Sequence, residues 1–181
     1  MINKNMFKIT ILFFLCIFAN YAFASEEFEF KITEIEILEN GNKIIGKNRG
    51  TVTTNNGIIF EADQFIYIKN LNLLNAIGKI KVLDKVNKYT IYTDELNYKK
   101  NKDIIISKNN SKAVSQKNNI EINAKNFEYD RSKNIITAEE KVFVNDKVEK
   151  NKIYSDYISY NLEKDIIISK NNSKAVSQKN N

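Results

Sequence analysis

Histidine is absent from the 181-residue chain, and with it go imidazole bases, catalytic triads and histidine-bound metals. The only cysteine, Cys16, lies within the first 24 residues. Once those are removed, the chain can form no disulfide and do no thiol chemistry. There are only five glycines, all in turn-like contexts, and neither G-x-x-x-x-G-K-[ST] nor G-x-G-x-x-G occurs. No phosphate-cradling loop is therefore encoded. Past residue 24 no stretch sustains an apolar stripe at i, i+3, i+4 and i+7, so no amphipathic helix is expected. Positive charge is in excess (Lys+Arg 28, Asp+Glu 22) but is spread among Asn and acids. The massed basic face of a nucleic-acid binder is missing, and no nucleic-acid partner is expected. These absences point away from an enzyme, and from any cofactor.

What the chain does have is a period. Tyr67 recurs as Tyr98, Tyr129 and Tyr160, each 31 residues after the last. Two places before each tyrosine stand Phe65, Leu96, Phe127 and Ile158; seven before stand Phe60, Ile91, Ile122 and Ile153. The small residues Ala62, Thr93, Ala124 and Ser155 lie between them. After each tyrosine a polar stretch reaches Asn72, Asp103, Asn134 or Asp165, then an apolar pair, then a small residue (Ala76, Ser107, Ala138, Ser169). A fixed period of this size marks stacked supersecondary units that cannot bury their apolar faces alone. The units are rich in Ile, Val, Phe, Tyr and Thr and are punctuated by Asn, Asp, Gly and Lys clusters. That composition favours short strands joined by tight turns.

The alternation within each unit changes phase. Phe60 and Ala62 share one phase, Phe65 and Tyr67 the other, and the switch falls at Asp63, Asp94, Lys125 and Asp156. A one-residue phase change flips side chains to the opposite face, so a β-bulge or sharp twist is expected in every unit. The fold class is all-β: an elongated, twisted, open roll, solenoid-like in being built from ~31-residue repeats. The Asp column admits a ligand or glycan-cleaving role for Asp63, Asp94 and Asp156, but its break at Lys125 favours service at the bulge or turn.

Residues 1–24 read as a secretory signal peptide: Lys4 and Lys8, an apolar run from Ile9 to Phe18, and Ala22-Phe23-Ala24 before Ser25. The expected domain is 25–181. Its opening, Ser25 to Leu38, then Asn40-Gly41 as a hairpin turn, fits the repeat loosely, as a first coil does. Near the other end, Asp103 to Asn119 returns letter for letter as Asp165 to Asn181, an offset of 62 residues or two periods. The chain stops mid-pattern there, and a truncated C-terminus is expected.

The repeated pattern, best seen as Ile122, Ala124, Phe127, Tyr129, Ile135, Ile136, Ala138, Val142 and Val144, resembles the organic-solvent-tolerance-like (OstA-like) repeat of lipopolysaccharide transport proteins. With Ile35 to Val52 and the stretch FEADQFIYIKNLNLLNAIG after it, the likeness is greatest to the periplasmic N-terminal domain of the LptD family, with LptA second. The resemblance covers most of residues 28 to 170. It implies an open β-jellyroll that stacks head-to-tail with other Lpt-type jellyroll domains and meets outer-membrane assembly partners. It further implies a periplasmic place, with outer-membrane association left open, and a trough that shields the acyl chains of lipopolysaccharide. The expected lining is Ile35, Ile37, Phe60, Phe65, Ile91, Leu96, Ile122 and Phe127. The chain departs from the family in lacking room for an LptD barrel and in having no cysteine past residue 24. A structural or adhesive β-solenoid with a dry core, and no lipid ligand, stays open as the alternative.

Overall fold

The computed structural model describes residues 28–177; the expected signal peptide and the last four residues lie outside this range. The described chain is one antiparallel sheet of fourteen strands. Strands β1 (Phe28–Lys31) and β2 (Glu34–Leu38), β3 (Lys43–Lys47) and β4 (Gly50–Thr54), and β5 (Ile58–Ala62) and β6 (Gln64–Ile68) are three long rungs, each split at its middle. Six unbroken rungs follow: β7 (Leu73–Asp84), β8 (Tyr89–Lys99), β9 (Ile104–Ser115), β10 (Ile120–Asp130), β11 (Ile135–Asp146) and β12 (Asn151–Asn161). The last rung is split again, into β13 (Ile166–Lys170) and β14 (Lys174–Ser177). Each rung pairs with the one before and after it, so the path is a simple meander with two rungs per repeat. Among the described residues no helix is long and apolar enough to cross a membrane; the only helical pieces are short 3-10 turns.

The expected bulge is present in every unit, and its extra residue sits on the partner strand. Ile77 pairs with Glu95 and Ile80 with Thr93, so Gly78 and Lys79 together oppose Asp94 alone. Asn109 and Asn110 oppose Lys125 in the same way, and Glu140 and Lys141 oppose Asp156. All six of these paired residues have positive φ, from 43° to 79°. Left-handed backbone is cheap for Gly and tolerable for Asn, but strains other L-residues. The Asn-Asn pairs and Gly78 thus mark the bends in sequence.

Each rung bends there, and its halves fold into two facing leaves. The first leaf holds β2, β3, β6, β13 and the Tyr-bearing halves of the long rungs; the second holds β1, β4, β5, β14 and the other halves. Aromatic rings meet across the gap: Phe28 with Tyr67 at 4.6 Å, Phe60 with Tyr98 at 5.2 Å, and Tyr89 with Tyr129 at 6.1 Å between centroids. Directly paired residues share a face, so the register defines inner rows. One runs Phe65, Ala76, Leu96, Ser107, Phe127, Ala138, Ile158. Large and small residues alternate along it, because two rungs that both carried bulk beside the bend would overfill the converging leaves.

The bend also explains the phase change. Phe60 and Phe65 are in opposite phases along the chain, yet both are buried in the same core, because the bulge rotates the strand by one residue between them. Gly78, at φ +79°, lies where an added Cβ would come 2.7 Å from Asp63 Oδ2. Gly78→Ala is therefore expected to destabilise the fold by about 1 kcal/mol or more. Asn109→Gly, at a position already left-handed, should change stability by only a few tenths of a kcal/mol. Urea midpoints at constant slope measure both; an Ala variant with an unshifted midpoint would contradict the bend geometry.

Candidate functional site

Two features of the roll bear on function: its apolar interior, and the seam where the free ends of the two leaves meet. The interior is the natural place to look for the eight residues singled out in the sequence. Phe60, Ile91 and Ile122 share one inner row of the second leaf, continued by Val82, Ala113 and Val144. Phe65, Leu96 and Phe127 share the first-leaf row described above. All six are buried.

Ile35 and Ile37 behave differently. Ile35 pairs with Gly46, which pairs with Phe65, and Ile37 pairs with Ile44, which pairs with Tyr67. Register therefore places both on the inner face. They are nevertheless 44% and 64% exposed, because each stretch of second leaf faces the first leaf of the following repeat. The first rung's Tyr-side half is left uncovered among the described residues. The result is an apolar shelf at one end of the interior, continuous with the core through the half-buried Ile44, Phe30 and Ile32.

The seam is polar and was only partly visible in the sequence. Each repeat tyrosine ends there, and a buried phenol needs a partner for its hydroxyl. Tyr67 donates to Asn72 Oδ1 at 3.1 Å and Tyr98 to Asp103 Oδ1 at 2.8 Å, and Tyr160 bonds Asp165. Asn72, Asp103 and Asp165 also hold the left-handed turn position, so one short polar side chain serves both purposes. From the opposite leaf, Asn56 Nδ2 donates to Tyr98 Oη at 3.2 Å and Asp103 Oδ1 at 3.3 Å. Asn118 repeats this with Tyr160 at 3.0 Å and Asp165 at 2.8 Å. These two clasps are related by the 62-residue offset.

Between them lies a different clasp. Tyr129 meets Asn134 at the turn position, but its hydroxyl donates instead to Asp84 Oδ2 across the seam, at 3.1 Å. Arg131 Nε donates to Asp84 at 2.7 Å, and its Nη1 donates to both oxygens of Asp103 at 2.8 and 2.7 Å. Arg131 is 8% exposed and Asp84 2%. Only a guanidinium can fork between two carboxylates in this way. Arg131 is one of only two arginines in a lysine-rich chain, a signal the sequence offered. Burial opposes ionisation of Asp84, but hydrogen bonds from Arg131 and Asn87 hold its carboxyl below the usual range. Burial likewise opposes the charge of Arg131, and the two aspartates more than offset it, so its pKa is raised. Burial first, then Asp84, pushes up the Tyr129 phenol.

The Asp column lies on the outer side of the bends. Asp63 is bonded by Arg49 at 2.9 Å and Asp156 by Asn172 at 2.6 Å, with Asn110 at 3.5 Å from Asp94. Where the column breaks, Lys125 pairs with Glu140 of the following rung at 2.8 Å. Each residue of the column thus contacts a polar side chain of a neighbouring rung, which braces the bend. Among the described residues no cluster of three or more Cys, Asp or Glu could hold a metal.

No protein-family model matches the chain, and no curated protein matches it in sequence. Among solved structures it is similar to the crystal structure of LptH, the LptA-homologous periplasmic component of the conserved lipopolysaccharide transport device of Pseudomonas aeruginosa. The identity is 11% and the TM-score 0.38, over 84% of this chain and 95% of that one. At that level the likeness assigns neither a family nor a function.

The central clasp makes a stability prediction with a definite sign. A carboxyl held below its unfolded value, about 3.9, stabilises the fold at neutral pH, and that contribution is lost as pH falls through the lower folded value. Arg131→Leu leaves Asp84 buried beside Tyr129 and Asn87 with no cation, and is expected to cost about 3–5 kcal/mol at pH 7. In the variant the Asp84 carboxyl is pushed up rather than down. The gap to wild type should therefore narrow steadily from pH 7 toward pH 4 in urea titrations, and a pH-independent gap would refute the clasp's ionic character.

Proposed function

We propose that this protein is an exported, non-enzymatic carrier that passes the acyl chains of lipopolysaccharide through the periplasm toward the outer membrane. One observation carries the reading: the apolar inner face runs the length of the roll and continues onto the uncovered shelf of Ile35 and Ile37. An acyl chain laid on such a surface gains about 0.8 kcal/mol per buried methylene. The resemblance of the repeat to lipopolysaccharide transport domains supports the same reading, as does a signal-peptide pattern at residues 1–24. The lining is Ile35, Ile37, Phe60, Phe65, Ile91, Leu96, Ile122 and Phe127.

The ends support a stacked assembly. Strands β1 and β2 at one end, and β13 and β14 at the other, each have a single neighbour among the described residues. Unpaired edges of this kind add strands from a partner. The partners proposed are other jellyroll domains of the transport type, joined head-to-tail, and outer-membrane assembly proteins.

A second reading, a structural rod with no lipid, is favoured by a separate observation. Side chains of both leaves fill the interior, and Phe60, Phe65 and Leu96 have at most 1% of their surface exposed. Photocrosslinking to purified lipopolysaccharide separates the two, with probes at Phe60, Phe65, Ile122 and Phe127 and controls at the outward-facing Tyr92 and Ile66. Adducts at all four inner positions and at neither control are expected, because both sequence phases point inward. Absence of adducts in a folded sample would give the rod reading the field.

A further inference from the structure

The two leaves are joined very differently along their two long sides. At the bends the backbone runs continuously from one leaf to the other, and each bend is hydrogen-bonded to that of the neighbouring rung, as in Asp63 N–H to Gly78 O at 3.0 Å and Asp156 N–H to Asn171 O at 3.1 Å. At the seam the turns of each leaf bond only along their own row. Lys69, Lys100, Arg131 and Leu162 donate to the preceding turns on one side; Lys85, Gln116 and Lys147 do so on the other. Among the described residues no backbone–backbone hydrogen bond crosses the seam. Side chains close it, among them the three clasps, a hydroxyl contact between Tyr89 and Tyr160, and the Lys100 ammonium 5.3 Å from the Phe28 ring.

The closure is uneven. Between the Arg131 clasp and the Asn118 clasp the seam opens into a cleft of about 370 Å³. Val86, Tyr89 and Leu162 supply apolar surface, with Tyr89 and Leu162 belonging to the core itself. Lys88 and Lys117 stand on its rim, exposed, with Glu163 as the one acid among the lining residues. The cleft thus joins an apolar floor, continuous with the interior, to a rim with one net positive charge. That pairing suits an amphiphile with acyl chains and an anionic phosphate head.

We propose that this seam cleft is a lateral port, through which acyl chains pass between the leaves while Lys88 and Lys117 hold the phosphate at the rim. The proposal rests on the lipid-carrier reading and locates its point of admission at the seam instead of the end shelf. The alternating αL bulges and their Thr93–Ser111 and Ser155–Ser173 hydroxyl pairs, 3.1 and 3.2 Å apart, act as the hinge side. The clasps on either side of the cleft limit how far the leaves part.

The test is a time-resolved photocrosslinking series on the full chain with purified lipopolysaccharide, probes being placed singly at Leu162, Ile37 and Phe127. Adducts should form at Leu162 before Phe127 and no later than at Ile37. The double variant Lys88→Gln/Lys117→Gln, whose changes are exposed and leave the core intact, should slow the Phe127 adduct about tenfold. Lipopolysaccharide stripped of its phosphates should load the wild type as slowly as the variant loads the intact lipid. If Ile37 labels first and the lysine variant loads at the wild-type rate, the port is wrong and the carrier reading stands. If no inner position labels while circular dichroism shows a folded sample, the carrier reading falls and takes the port with it.

Discussion

Everything in this roll follows from the need to bend each rung without losing its hydrogen bonds. A flat meander of ten rungs would expose one apolar face; a bent one folds that face on itself. The two-for-one bulge does this at small cost, since the unpaired backbone is turned to the outer side and the left-handed residues are largely Asn or Gly. Because the bulge also shifts side-chain phase by one, both halves of every rung point their apolar residues into the same core. Remove the phase shift and half of the apolar set would face water.

The bend also sets which residues recur. Beside it the leaves converge, and a bulky residue such as Phe65 or Leu96 is paired there with a small one, Ala76 or Ser107. At the far side they diverge enough for tyrosine rings, whose hydroxyls then need partners at the rim. Units alternate in how they meet these needs, which gives a 62-residue period over the 31-residue one. Thr93 and Ser155 brace the bend with hydroxyls where Ala62 and Ala124 have none. At the seam the alternation lies in the cross-leaf group: Asn56 and Asn118 reach Asp103 and Asp165, while Asp84 and Arg131 close the unit between them. The segment repeated letter for letter supplies both the bend partner (Ser111, Ser173) and the seam acceptor (Asp103, Asp165). A duplication in that register repeats the hydroxyl pair at the bend and the tyrosine–aspartate contact at the seam, although β9 has two neighbours and the split β13 and β14 one each.

Much of this was legible in the sequence because period and phase are geometric signals. The repeat fixes rung spacing, the phase switch marks the bulge, and the tyrosine column marks the seam. What was not legible was which phase faces inward. The answer, that both do, requires knowing that the bulge rotates the strand and does not merely kink it. The Asp column looked broken at Lys125 because its partner could not be read from spacing alone; Glu140, fifteen residues on, restores it. Asp84, which the sequence does not single out, holds its own turn by accepting from the Val86 and Asn87 amides. Its second role depends on an arginine 47 residues away, a separation set by how far the two leaves are offset across the seam.

That offset has a functional consequence. Because each second-leaf stretch covers the first leaf of the next repeat, the described residues leave inner-face Ile35 and Ile37 exposed at one end and give β13 and β14 a single neighbour each at the other. Under the proposed carrier reading, an acyl chain entering the filled interior would exchange side-chain contacts for lipid contacts, which is nearly neutral when both are hydrocarbon. The barrier then lies in parting the polar groups that seal the seam, not in the core. The Asn118–Tyr160–Asp165 clasp lacks an arginine, and water can replace its hydrogen bonds to the carboxylate at about 1.5–3 kcal/mol each, whereas Arg131, forked between Asp84 and the Asp103 of the Asn56 clasp, cannot leave without exposing or stranding charge. The seam should therefore part first on the Asn118 side of Arg131, beside the cleft.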